Sequence, residues 1–221
     1  MSQTTEFSFV HRFVPGADAS QPTLLLLHGT GGNEDDLLPL GQAIAKGAAL
    51  LSPRGQVLEK GMSRFFRRIV EGVFDQEDLK LRTEQLRTFV EGAEMAYRLS
   101  PQTLVAVGFS NGANIAASLL LRYPDVLAGA ILIRAMVPFL PEVLPNLQGK
   151  PILLLSGTAD SIVPQENTQK LHDLLQSAGA DVQLHWEEAS HGLTRGDLAV
   201  ARSWFAQHFP GASRALSKHQ A

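Results

Sequence analysis

The chain has 221 residues, with 19 basic and 22 acidic side chains, a formal net charge of −3 and no cysteine. With no basic stripe interleaved with aromatics, that balance excludes a nucleic-acid partner, and the missing thiols exclude disulfides, thiolate catalysis and cysteine-held metals. No apolar run approaches the roughly 18 residues of a membrane span, and residues 1–6 lack the basic-then-apolar order of a signal peptide, so a cytoplasmic protein is expected.

Residues 7–13 alternate apolar and polar side chains, as a half-exposed edge strand does. Residues 23–28 do not alternate; their run of leucines between Pro22 and Gly29 reads as a strand buried on both faces. A glycine-rich loop (29–33), a helix (35–45) with Leu37, Leu38, Leu40 and Ile44 on its apolar face, and a short strand (48–52) follow. Residues 54–78 show the least regular pattern and read as a long loop mixing phenylalanines with arginines, the kind of segment that carries function. The spacing then predicts a helix over 79–99, a strand and helix over 104–121, and strands over 127–133 and 151–156. Beyond these it predicts a helix over 165–177, a strand over 182–186 and a helix over 193–209. Strands alternating with helices imply a mostly parallel, doubly wound α/β sheet flanked by helices, in one domain over 1–210 with a flexible tail over 211–221. The proline-rich link around Pro138, Pro141 and Pro145 leaves no room for a separate lid domain.

Gly108-Phe109-Ser110-Asn111-Gly112 is a G-x-S-x-G turn between a buried strand and a buried helix, which makes Ser110 the candidate nucleophile. A serine nucleophile needs a base and a carboxylate delivered to the same sheet edge by later strands. Asp160 follows the strand over 151–156, and His191 follows the strand over 182–186, in the chain order Ser, Asp, His. Asp160 reads equally as a turn or cap residue ahead of Pro164, and Glu187 and Glu188 are alternative acids only if a strained loop brings them to His191. His11, His172, His185 and His208 take structural or solvated readings. The backbone amides of Thr30 and Asn111 are the expected oxyanion donors, with His28 bracing the glycine-rich loop. Nothing in these motifs calls for a metal or an organic cofactor.

These segments together resemble the carboxylesterase/phospholipase branch of the α/β-hydrolases, the short lid-less enzymes related to acyl-protein thioesterases. The resemblance runs from the leucine strand and H-G-T-G-G-N through G-F-S-N-G-A-N to G-T-A-D and S-H-G. It implies an α/β-hydrolase fold, the triad Ser110, Asp160 and His191, and oxyanion donors Thr30 and Asn111. S-P-R-G, R-F-F-R-R and G-V-F-D-Q-E-D-L look most like a bacterial subgroup typified by carboxylesterases linked to hydroquinone response. Where acyl-protein thioesterases carry a tryptophan-containing segment, this chain has Arg64-Phe65-Phe66, so substrate choice is expected to lie there. Met62, Phe65 and Phe66 are candidate walls of a small apolar pocket, and Arg64 a candidate contact for a substrate carboxylate or hydroxyl. The competing reading makes the phenylalanines core and the arginines a solvated rim paired with Glu71 and Asp75. The expected activity is hydrolysis of small or medium carboxylic esters through an acyl-enzyme. The alternatives are a thioesterase or lysophospholipase using the same triad, and a binding or sensing protein with a silent site. An edge strand or the tail would serve a homodimer.

Overall fold

The computed structural model describes residues 8–17 and 21–210; residue 7, where the first strand was expected to start, and the expected tail lie outside them. In chain order the elements are β1 (His11–Val14), β2 (Thr23–Leu27), α1 (Leu38–Ile44), β3 (Leu50–Pro53), β4 (Val57–Glu59), β5 (Met62–Arg64), β6 (Arg68–Val70) and β7 (Val73–Phe74). There follow α2 (Gln76–Tyr97), β8 (Leu104–Phe109), α3 (Asn111–Arg122), β9 (Gly129–Ile133), β10 (Pro151–Gly157), α4 (Gln165–Ser177), β11 (Asp181–Glu187) and α5 (Arg195–His208).

A seven-stranded sheet runs in the order β1-β3-β2-β8-β9-β10-β11. Only β1 is antiparallel, pairing with β3; every other pairing is parallel. Because successive side chains on a strand point to opposite faces, the leucines of β2 divide between two cores. Leu25 and Leu27 join the layer containing Leu86, Phe89 and Leu171, while Leu24 and Leu26 join Ile44, Trp204 and Phe205. A strand with helices on both faces must be apolar throughout, which explains a β2 buried at every position. From β2 the chain steps to β3 on one side and later to β8 on the other. That change of direction opens a crevice at the carboxyl ends of β2 and β8, where the loop after residue 28 faces the turn at Ser110.

The largest departure from expectation lies in residues 54–78, which form two short antiparallel hairpins rather than an irregular loop. In the first, Glu59 pairs with Met62 across Lys60 (φ 52) and Gly61 (φ 80), the two positive φ values of a type I′ turn. Helix ends follow their caps. Helix α2 begins at Gln76 because the Asp75 side chain accepts from the Asp78 amide. Helix α5 begins at Arg195 because Thr194 and Asp197 form a reciprocal capping box. No helix interrupts the link from β9 to β10, and no helix among the described residues is long and apolar enough to cross a membrane.

Candidate active site

At the carboxyl end of β8 the chain turns into α3 through a single residue, Ser110, with φ 52 and ψ −113. A non-glycine side chain in this region costs on the order of 1–3 kcal/mol, and the surroundings hold it there. The Ser110 amide donates to the Ile133 carbonyl of the adjacent strand at 2.8 Å. A Cβ on Gly108 would lie 2.7 Å from the backbone of Ala113, and one on Gly112 would lie 2.0 Å from the Leu27 carbonyl oxygen. The glycines of the G-x-S-x-G turn are therefore required by close packing of α3 against β2 and β8, and the result is a serine hydroxyl raised above the sheet edge.

Ser110 Oγ lies 2.8 Å from His191 Nε2, and His191 Nδ1 lies 2.8 Å from Asp160 Oδ2. The loops carrying the last two residues are tied together, since the Thr158 and Ala159 amides donate to the Glu187 and Ala189 carbonyls. Asp160 is placed for both readings: Oδ1 accepts from the Ile162 and Val163 amides, as a turn residue would, while Oδ2 faces the imidazole. The alternative acid Glu187 stands beside His185 instead, at 3.2 Å.

Arg134, the first residue beyond β9, belongs to this cluster and was not foreseen. Its side chain is fully buried at φ 56. Its guanidinium forms a two-pronged pair with Asp197 at 3.0 and 2.7 Å and donates to the Ser190 and Gly192 carbonyls, the residues on either side of His191. One buried cation thus anchors the histidine loop to the N-terminal turn of α5. Nothing in a lone arginine after an apolar strand signals this; the nearest hint is Asp197, placed to cap the last helix.

On the opposite side, the loop after β2 is braced by the first hairpin. The Gly55 amide donates to His28 Nε2 at 2.9 Å, so the imidazole proton sits on Nδ1 and is donated to the Gly29 carbonyl. Burial is the main reason the His28 pKa falls below its ordinary value. The Gly31 and Gly32 amides donate to the Ser63 and Gly29 carbonyls, whereas the Thr30 amide has no acceptor among the described residues. The Asn111 amide, at the first residue of α3, has none within its helix. Arg64 donates from Nη1 to Thr30 Oγ1 at 2.6 Å and from Nε to the Phe66 carbonyl, with Glu59 3.3 Å away. Burial, then neighbouring Arg68, lowers the pKa of that guanidinium.

A cavity of about 280 Å³ opens between these walls, bordered by Ser110, His191, Arg64, Phe74, Met136 and Val163. Of the four expected substrate contacts only Arg64 reaches it. Phe65 and Phe66 are core: Phe65 packs on the His28 ring, its amide holding the Asn111 side chain, and Phe66 meets Phe74 edge-on. Met62 is 40% exposed beside Gly31 and does not line the cavity. The apolar wall is supplied by Phe74, Met136, Ile162 and Val163 instead. The rim reading of the arginines holds for Arg67, paired with Asp75 and Asp78, and for Arg68, which grips Glu59 with Glu71 further off.

The fold recurs in known proteins. A carboxylesterase of Bacillus cereus superposes with a TM-score of 0.88 at 47% identity, covering 92% of this chain and 95% of its own. A carboxylesterase of Mesorhizobium loti superposes with a TM-score of 0.85 at 30% identity over 91% and 96% of the two chains. MhqD of Bacillus subtilis strain 168, which carries a hydrolase name, is 46% identical over 188 residues, 85% of this chain and 94% of the relative. With residues 10–208 matching its model, the chain belongs to the phospholipase/carboxylesterase family and is a carboxylesterase-like hydrolase with the α/β-hydrolase fold.

Proposed function

We propose that the protein hydrolyses small carboxylic esters through an acyl-enzyme on Ser110. The observation that carries this reading is the unbroken chain from Ser110 Oγ through His191 to Asp160, with 2.8 Å at each link. An ionised carboxylate only accepts, so Asp160 fixes the imidazole proton on Nδ1 and leaves Nε2 to take the serine proton as Oγ attacks the carbonyl carbon. The free amides of Thr30 and Asn111 receive the oxyanion that develops, an interaction worth roughly 3–4 kcal/mol for each donor of this kind. His191 returns its proton to the departing alcohol. It then deprotonates the water that cleaves the acyl-enzyme. A cavity of about 280 Å³ lies just below the range of common ligand sites, about 300–1,000 Å³. That favours a short ester over a lysophospholipid.

Two measurements test this. A fluorophosphonate probe labels wild-type protein at Ser110, as a silent binding protein would not. Matched oxygen esters and thioesters of rising acyl length are then compared, and the highest kcat/KM is expected for short oxygen esters. Absence of labelling, or a preference for long-chain thioesters, overturns the assignment.

A further inference from the structure

The cavity beside Ser110 is bordered by two side chains that each carry a donor with no acceptor among the described residues. Among the described residues Arg64 Nη2 makes no hydrogen bond, while Nε and Nη1 of the same guanidinium are engaged. The side chain is only 4% exposed, yet it borders the cavity. Asn111, next to Ser110 and also on the cavity wall, has an amide whose Oδ1 must face the Phe65 N–H, and its buried Nδ2 has no partner. Buried donors are nearly always satisfied, so the orphaned Asn111 Nδ2, together with an Arg64 nitrogen left unpaired on the same cavity, points to a group that arrives with the ligand. None of the nearby acids hydrogen-bonds either nitrogen. Glu59 Oε1 is taken twice by Arg68, its Oε2 faces Arg64 Nε, Asp197 is held by Arg134, Asp160 faces His191, and Glu71, which also borders the cavity, stands 4.0 Å from Arg68.

We propose that this cavity selects esters bearing a carboxylate a few bonds from the scissile carbonyl, such as monoesters of short dicarboxylic acids, with Arg64 Nη2 and Asn111 Nδ2 as its donors. The proposal rests on the esterase reading above and names its substrate class. Closeness to the carbonyl follows from the anchors: Arg64 is bonded to the side chain of Thr30, and Asn111 adjoins Ser110, so the donors for the anion stand beside those for the oxyanion. The apolar wall of Phe74, Met136 and Val163 takes the short carbon chain. A guanidinium held in place by Thr30 and Phe66 presents its free nitrogen without further ordering, which favours a fixed, charge-assisted contact.

The test compares monomethyl succinate with methyl levulinate, a neutral ester of the same shape. Calorimetric titration of Ser110→Ala protein needs no turnover, so it reads the anion site whether or not the protein is an esterase. The monoanion is expected to bind at least about tenfold more tightly. Arg64→Gln and, separately, the isosteric Asn111→Asp should bring that ratio close to one in protein with an intact near-ultraviolet dichroism spectrum. Equal or weaker binding of the monoanion, or a ratio that survives both substitutions, overturns the proposal. With wild-type protein the same pair gives the kcat/KM ratio. Labelling by fluorophosphonate with methyl levulinate cleaved faster than monomethyl succinate keeps the esterase and removes the anion preference, whereas no labelling with tenfold tighter monoanion binding does the reverse.

Discussion

The two walls of the cavity are built differently. One grows from the carboxyl ends of strands of the main sheet: Ser110 after β8, Arg134 after β9, Asp160 after β10 and His191 after the edge strand β11, their loops held by backbone hydrogen bonds and by the buried Arg134–Asp197 pair. The other is made of hairpins whose strands are two or three residues long, with Leu58, Ile69 and Val70 exposed and Arg64 turned inward. The lesson is a division of labour. The groups proposed for the chemistry, which tolerates little displacement, sit on the sheet, while the contacts that would choose a substrate hang on a surface excursion.

Breaking the sheet wall at its centre should have the largest effect. Ser110→Ala is expected to lower kcat on a short activated ester by roughly 10⁴- to 10⁶-fold, with the thermal midpoint little changed, since one hydroxyl is lost and the turn keeps its packing. Turnover near the wild-type rate would remove Ser110 from the mechanism.

Arg134→Lys comes next. An ammonium keeps the charge opposite Asp197 but cannot make the two-pronged pair and also reach the carbonyls of Ser190 and Gly192. If the guanidinium positions His191, kcat falls about 10- to 100-fold with KM nearly constant, the scale of loss expected from about an ångström of misplacement. A lower thermal midpoint with unchanged kcat would mean that Arg134 serves the fold alone.

The same contrast explains what was legible in the chain. The meeting of Ser110, Asp160 and His191 could be read because each follows a strand of the sheet in an order set by topology, and G-x-S-x-G is a local pattern with a steric cause. Arg134 could not, since its partner Asp197 lies 63 residues away and a single arginine after Ile133 looks like an ordinary strand end. In the hairpin wall, three-residue strands are too short to show a period of two, and only Lys60-Gly61 marks a turn. Phe65 and Phe66, flanked by arginines, have the composition of either a pocket wall or a core. Packing against His28 and Phe74 decided for the core.

The hairpin wall is seated on the neutral His28 imidazole, which gives it a pH dependence. The folded pKa of His28 is lowered, chiefly by burial, so the unfolded chain binds the proton more readily and stability rises with pH. The contribution is complete above about pH 6.5, the unfolded value, and is lost as pH falls from there toward the folded value. The Glu34 carboxylate, lowered by its hydrogen bond to Arg54, follows the same sign but is lost only below about pH 4.5. Unfolding by urea at pH 7.5, 6.5 and 5.5 should therefore show a decline that is shallower in His28→Gln. Parallel declines in the two proteins would exclude the buried imidazole as its source.

Gly61→Ala probes the far end of the same wall and should have the smallest effect. At φ 80, a Cβ at Gly61 meets nothing within 4 Å, so the penalty is backbone strain alone, on the order of 1–2 kcal/mol, and falls on the turn between β4 and β5. The pairing of Val57 with Arg64 at the other end of that hairpin, the Gly31 amide on the Ser63 carbonyl and Arg64 on Thr30 are all remote from the turn. A lower urea midpoint with kcat/KM unchanged on both charged and neutral esters is the expected outcome. A loss of kcat/KM confined to the charged ester would instead show that the hairpin tip sets the position of Arg64, and that the two walls are less independent than their construction suggests.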